Sequence, residues 1–181
     1  YGITEADFLS AELELVPAFS ARDVGFDRSM IGGYGHDDRV CAYPALMAAL
    51  HCKAPKNTVV TVLVDKEETG SDGNTGMQSD FMKYFIFDLA ESEGQEGYRV
   101  LSKSRCLSAD VNAAFDPTYA SVFEANNASY INKGVVITKY TGHGGKYGTS
   151  DASAEFMAQI RQMLDKEKIL WQTGELGKVD L

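Results

Sequence analysis

The chain has 181 residues, 44% of them apolar and 24% charged, which is an ordinary globular composition with enough residues for one sizeable core. Its net charge of −9 argues against a nucleic-acid-binding protein, because such proteins concentrate Lys and Arg where phosphates bind. The three cysteines have no CxxC spacing, and no apolar run is long enough to cross a membrane. We therefore expect a cytoplasmic chain that binds neither nucleic acid nor a membrane.

The first third of the chain alternates between short elements and loops. Thr4 and Asp7 predict a short capped helix, and residues 12–16 alternate apolar and charged residues as a half-buried strand does. A glycine-rich loop then leads to Asp37. Apolar residues recur at helical spacing after Asp38, so we expect a helix that begins near Asp38 or, because a proline ring obstructs a regular turn, only at Pro44.

Residues 59–64 (VVTVLV) form a continuous apolar and β-branched run, which predicts a strand buried on both faces. The run leads into Glu67, Glu68 and a glycine-rich loop. Ligands of open α/β sheets bind at the carboxyl ends of strands. Adjacent glutamates leave the backbone in different directions, so one could bind a cation while the other handles a proton. An isolated Glu-Glu pair is more often a solvated turn, and that alternative stays open here.

The remaining chain alternates helical and strand patterns. We expect a helix over 77–90, a weak strand over 100–109 that ends at Asp110, strands over 134–140 and 169–172, and between these two a helix capped by Ser150 or Asp151. Strands that alternate with helices indicate an α/β fold with a mainly parallel, mixed sheet and helices on both faces.

Three acidic points follow predicted strands or open a helix: Asp37, the pair Glu67 and Glu68, and Asp110. Carboxylates gathered at one sheet edge would raise each other's pKa values unless cations neutralised them. Two divalent ions about 3.5–4 Å apart would do so and would activate a bridging water, whose proton an uncoordinated carboxylate could accept. Helix capping remains the alternative for Asp37 and Asp38.

Five stretches resemble, in this order along the chain, the aspartyl aminopeptidase and aminopeptidase I family of zinc exopeptidases: GHDDRVCAY, VDKEETGSDGNTGMQS, LSADVNAAFDP, GVVITKYTG and WQTGELGKVD. The resemblance implies a zinc-peptidase α/β sandwich of the phosphorylase/hydrolase-like kind. It also implies two Zn²⁺ ions, with Co²⁺ or Mn²⁺ as alternatives, peptide substrates and a large homo-oligomer. Both acidic and neutral N-terminal residues are preferred within the family, and the sequence does not choose between them.

Carried over residue by residue, the resemblance implies that Asp37 bridges the two metals and that Glu67 is the general base. It implies that Glu68 binds one metal and Asp110 the other. In this superfamily the peptide bond after the bridging aspartate is usually cis, so we expect a cis bond between Asp37 and Asp38.

We also expect Lys139 and His143 to bind substrate, because they lie where substrate side chains could reach and their cationic groups would suit acidic side chains. Two histidine ligands of the family lie in motifs that this sequence does not contain. We therefore expect a piece of a longer protein, with residues 1–18 as the tail of an inserted dimerisation domain or a lead-in strand, and 19–181 as part of the catalytic domain.

Two alternatives to a working aminopeptidase stay open. The first is an inactive or structural fragment or subunit that packs into a homo-oligomer without a complete metal site. The second is a different two-metal hydrolase, such as a deacylase on a related fold, which would cleave N-acyl substrates instead.

Overall fold

The computed structural model describes residues 1–143 and 147–175, and describes the backbone alone for 140–143 and 147–150. The chain divides into two compact units, Tyr1–Asp110 and Val111–Leu181. In chain order the described elements are α1 (Glu5–Phe8), β1 (Arg22–Val24), β2 (Met30–Gly32), α2 (His36–His51), α3 (Phe81–Ser92), α4 (Gly97–Lys103), β3 (Val135–Ile137), β4 (Tyr140–His143), β5 (Tyr147–Asp151), α5 (Ala154–Lys166) and β6 (Trp171–Thr173), with 3-10 turns over Glu67–Thr69 and Pro117–Val122.

The first unit begins with the predicted capped helix. In α1, the backbone N–H and the hydroxyl of Thr4 donate to Oδ2 of Asp7 at 2.7 and 2.9 Å, and these hydrogen bonds lower the pKa of that carboxyl. The strand predicted over 12–16 is wrong, because the structure assigns no strand there and leaves every residue of 1–20 exposed. Alternation alone does not make a strand when no neighbouring segment offers backbone partners.

A hairpin delivers the chain to the second helix. Strands β1 and β2 pair antiparallel with Asp23 opposite Ile31. Helix α2 follows directly, and its N-cap Gly35 has a left-handed backbone with φ 72°. Asp37 and Asp38 keep non-helical dihedral angles, so the regular helix begins at the next residue and continues through Pro44. The helix predicted near Asp38 is confirmed, and the later start at Pro44 is wrong.

The run over 59–64 does not form the predicted central strand. The structure assigns it no ladder, and its side chains are largely solvent-accessible, with Val59 53% and Leu63 55% exposed. A strand buried on both faces needs neighbours on both sides, and no described segment pairs with this one. The run therefore has the apolar composition of a buried strand, but the described residues do not bury it.

Helices α3 and α4 pack as a pair. The first occupies most of the helix predicted over 77–90 but begins at Phe81, and the second replaces the strand predicted over 100–109, which is therefore wrong. The close approach requires Gly97, because a Cβ there would overlap the ring of Phe87. The amide of Val100 donates to the Glu96 carbonyl at 3.1 Å, so the chain enters a second helix directly after the turn.

The second unit contains the parallel pair that the sequence led us to expect. Strand β3 lies parallel to β6 with Val136 opposite Gln172, whereas β4 and β5 pair antiparallel. Three two-stranded sheets, one of them parallel, are described in place of a mainly parallel sheet, so the observed class is mixed α/β. Helix α5 is capped by Ser153, whose Oγ accepts from the Phe156 amide at 3.2 Å, and not by the predicted Ser150 or Asp151, which lie in β5.

Little apolar surface is buried in the part of the chain that the structure describes. Ala90 and Leu164 are the hydrophobic residues buried there, and Ser129 is the buried polar one. The Ser129 hydroxyl donates to the Ala113 carbonyl at 3.1 Å, and the ring of Phe115 stacks on that of Tyr130 with centroids 5.4 Å apart. None of the helices described is long and apolar enough to span a bilayer.

Candidate active site

Asp37 lies at the junction between the hairpin and α2. The peptide bond between Asp37 and Asp38 is cis, which confirms the expectation. The left-handed Gly35 precedes this junction, and a Cβ at that glycine would lie 2.9 Å from Nη1 of Arg39. The chain therefore enters α2 through an irregular turn that leaves Asp37 exposed and Asp38 half-buried.

Glu67 and Glu68 lie on a 3-10 turn that is closed by hydrogen bonds to one carbonyl. Lys66 has a left-handed backbone with φ 72°, which turns its carbonyl toward the residues that follow. That oxygen accepts from the Thr69 amide at 3.2 Å, the Thr69 hydroxyl at 3.0 Å and the Ser71 amide at 2.7 Å. The two glutamates therefore lie on a turn that is closed by hydrogen bonds, and their side chains are exposed.

The acidic residues of the first unit act on one another electrostatically. Desolvation raises the pKa of Glu67 most, and the negative charges of Asp110, Glu68, Asp37 and Asp38 raise it further. A carboxyl with a raised pKa holds a proton more readily, which is the property a general base needs after proton abstraction.

The same acidic residues affect a thiol that the sequence analysis did not select. Burial raises the pKa of Cys41, with further contributions from Asp110, Asp38 and Asp37. Cys41 lies in the first turn of the regular part of α2, close in sequence to Asp37 and Asp38, and this proximity could have drawn attention to it. Asp38 was considered only as a helix cap, and its part in the acidic cluster was missed.

A metal site requires more than neighbouring charge. Carboxylate oxygens suit a divalent cation chemically, but among the described residues no group of three or more His, Cys, Asp or Glu side chains is arranged to hold a metal ion. The residues that the structure describes therefore do not by themselves fit a zinc site.

A shallow apolar cavity of about 270 Å³ lies between the β1–β2 hairpin and the start of α2 in the first unit. Its lining comes from the hairpin and the start of α2 and includes Ala21, Ile31, Tyr34, His36, Arg39 and Val40.

An ion pair joins the N-terminal segment to the 3-10 turn over Glu67–Thr69, which we term the glutamate turn. Nζ of Lys66 lies 3.5 Å from Oε1 of Glu12. Both groups are solvent-accessible, so this pair contributes little stability.

The two predicted substrate-binding residues, Lys139 and His143, belong to the second unit. Nζ of Lys139 lies 3.3 Å from Oδ1 of Asp151, and Lys139 also lines a small cavity with Asn127, Thr173 and Glu175. The backbone of His143 lies in β4, whereas its side chain is outside the described part of the chain.

Comparison with known proteins gives a family match over nearly the whole chain. A family model described as Aminopeptidase I zinc metalloprotease (M18) matches residues 1–180. A curated relative, the probable M18 family aminopeptidase 1 of Clostridium acetobutylicum, is 53% identical over 99% of this chain and 40% of its own length. The crystal structure of an M18 family aminopeptidase from Thermotoga maritima aligns with a TM-score of 0.89 at 46% identity, over 99% of this chain and 41% of that one.

A more distant structure, the S. cerevisiae mApe1 dodecamer, aligns with a TM-score of 0.56 at 19% identity over 86% of this chain and 36% of that one, a likeness of fold alone. The chain spans about 40% of the length of the curated relatives it matches. The resemblance found in the sequence motifs is thereby confirmed.

Proposed function

Because the chain belongs to the M18 family of aminopeptidase I zinc metalloproteases, we propose that it forms part of the catalytic domain of an aminopeptidase that releases N-terminal residues from peptides. Residues 19–181 would belong to that domain, and 1–18 would be the tail of an inserted dimerisation domain or a lead-in strand. The observation that carries this proposal is the family match over 1–180, which includes every acidic motif from which the site was predicted.

Glu67 is our proposed general base. It would take a proton from the attacking water and return it to the leaving amine. Glu67 lies on a turn that is closed by hydrogen bonds to the Lys66 carbonyl, which supports a fixed position of its backbone relative to the substrate.

Asp37, Glu68 and Asp110 are our proposed contribution of this chain to a zinc site, with Asp37 shared between two ions. Zinc supplies a Lewis acid when it is bound, and Co²⁺ or Mn²⁺ are the alternatives. Further ligands are needed, because the described residues gather no three donors around one point. Lys139 and His143 are our proposed substrate-binding residues, and both acidic and neutral N-terminal residues remain as candidate substrate preferences.

A cytoplasmic homo-oligomer is the proposed assembly. Support comes from the family membership, from the S. cerevisiae mApe1 dodecamer that shares the fold, and from the large apolar side chains that are exposed in the described units. An inactive subunit of such an oligomer is the alternative, since the described residues do not fit a metal by themselves.

The test uses the native polypeptide that contains this chain, supplied with zinc. Amino-acyl p-nitroanilides of glutamate and leucine with free N-termini should be hydrolysed, whereas their N-acetyl analogues should not, and about two zinc ions should be found per polypeptide. Cleavage of only the N-acetyl substrates would favour a deacylase. An oligomer without bound zinc or hydrolysis would favour the structural subunit.

A further inference from the structure

The chain folds back on the glutamate turn through residues 76–78, which we term the return segment. Gly70 and Ser71, with φ 86° and 56°, reverse the chain just after the turn. The Gln78 amide N–H donates to the Ser71 carbonyl at 3.2 Å, and Nε2 of Gln78 donates to the Gly70 carbonyl. The return segment is therefore bonded to the two residues that end the turn.

Gly76 fits against this reversal with no room for a side chain. It is buried, and a Cβ there would overlap the carbonyl oxygen of Ser71 and lie 2.5 Å from that of Asp72. Both obstructing atoms belong to the backbone, so they cannot rotate away as a side chain could. Gly73, in the same loop, offers a contrast, because a Cβ at that position would meet nothing within 4 Å.

Ser71 connects the return segment to the glutamates. Its N–H donates to the Lys66 carbonyl at 2.7 Å, and its own carbonyl accepts from Gln78. The Gly70 amide donates to the Glu67 carbonyl at 2.8 Å. A displacement of Ser71 would therefore alter the hydrogen bonds that close the turn on both sides of Glu67 and Glu68.

We propose that Gly76 and Gln78 are positioning residues, which hold the Glu67 and Glu68 carboxylates in place by fixing the backbone of Ser71. This role rests on the function proposed above, because it matters for turnover only if Glu67 acts on substrate. A misplacement of about 1 Å in a catalytic group can lower a rate about 100-fold. Small movements of the turn would therefore have large effects, although the residues that prevent them touch no substrate.

The main test compares Gly76→Ala with Gly73→Ala in the native polypeptide. Gly76→Ala should lower kcat by a factor of about 10 to 100 while KM stays within about 2-fold, because the substrate still binds but the base is displaced. Gly73→Ala adds the same methyl group elsewhere in the loop, where it causes backbone strain but no steric clash. Its kcat should therefore stay within about 3-fold of that of the unmodified polypeptide.

A second readout does not depend on activity. Hydrogen exchange of the Gly70 and Ser71 amides, which donate to Glu67 and Lys66, should be at least about 10-fold faster in Gly76→Ala than in Gly73→Ala. If the unmodified polypeptide hydrolyses no substrate, the proposed function fails, and exchange alone still decides whether the return segment holds the turn.

A milder variant keeps the inference testable if Gly76→Ala does not fold. Gln78→Met removes the side-chain donor at similar volume, and Gln95→Met makes the same change at an exposed glutamine between α3 and α4. We expect faster exchange at Gly70 and a reduced kcat only for Gln78→Met. The proposal would be overturned if each variant and its control changed kcat and exchange equally. It would also be overturned if exchange at Gly70 and Ser71 stayed unchanged in Gly76→Ala and Gln78→Met.

Discussion

Glu67 is the side chain on which turnover should depend most strongly. Glu67→Gln keeps the shape of the side chain but removes its ability to accept a proton, so kcat should fall by a factor of about 100 or more. Zinc content, measured by mass spectrometry of the metal, should stay unchanged because the proposed ligands are other residues. Glu93→Gln removes the same charge at the end of α3 and should leave both quantities unchanged. A parallel loss of zinc and turnover would make Glu67 a ligand.

Asp27, in the turn of the β1–β2 hairpin, provides a pH-dependent prediction. The Ser29 hydroxyl lowers the pKa of this carboxyl most, and the Ser29 backbone N–H, 3.2 Å from Oδ1, lowers it further. A carboxyl with a depressed pKa in the folded state stabilises the hairpin above its unfolded pKa, and this contribution is lost as pH falls through the folded pKa. Ser29→Ala should therefore raise the pKa of Asp27 toward its ordinary value and weaken the pH dependence.

Carboxyl NMR signals followed from neutral to acidic pH would measure this change. The remaining backbone N–H should keep the pKa of Asp27 in Ser29→Ala below its ordinary value. Ser92→Ala is the matched control, because its hydroxyl donates to the Leu89 carbonyl at 2.7 Å and not to a carboxyl. An unchanged pKa of Asp27 in Ser29→Ala would show that the backbone N–H alone depresses it.

At the residue scale the sequence offered candidate site residues, but it did not show which residues hold the backbone around them. Asp37, Glu67 and Asp110 could be selected because acidic residues after apolar runs form recognisable motifs, and the cis bond after Asp37 followed from the resemblance. The need for glycine at position 76 could not be predicted, since it arises from a carbonyl five residues earlier in the chain. Local composition predicted a glycine-rich loop, whereas the hydrogen bonds of that loop depend on residues 76–78, which fold back against it.

The contact between α3 and α4 should be destabilised by one added methyl group. Gly97→Ala would place a Cβ over the ring of Phe87 and 2.9 Å from its Cα. We expect the opening free energy of the Val100 amide in α4, measured by hydrogen exchange, to fall by about 1–3 kcal/mol. In a Phe87→Ala background the same change should have a smaller effect, because the ring is absent. Equal effects in both backgrounds would assign the loss to the backbone of Gly97.

Among the elements, helices were easier to predict than strands for a physical reason. The hydrogen bonds of α2, α3 and α5 close within each segment, so their periodicity was sufficient to predict that they exist, although α5 took Ser153 as its cap in place of an earlier residue. A strand depends on a partner elsewhere. The apolar run over 59–64 has no described partner, whereas β3 finds β6 at a separation of about 36 residues and is confirmed as a strand.

For the molecule as a whole, the described residues bury few apolar side chains, and the chain spans less than half of its curated relatives. Phe81, Tyr84 and Phe85 on α3 are 68%, 58% and 48% exposed, and the valines of 59–64 are similarly open. Soluble proteins do not leave such surfaces uncovered without a binding partner or further polypeptide against them. The chain also spans only about 40% of its curated relatives. The described residues therefore expose apolar side chains that the apolar pattern of the sequence would place in a core.

The unfolding of the 181-residue polypeptide by itself should reflect this limited burial. The slope of unfolding free energy against denaturant scales with the surface newly exposed, and typical small domains give about 1–3 kcal/mol/M in urea. We expect a slope below that range, with a broad transition and strong binding of the dye ANS before any denaturant is added. The native polypeptide that contains the chain should unfold steeply and bind little dye. A steep transition without dye binding in the 181-residue polypeptide would show that its apolar residues find cover within the chain itself.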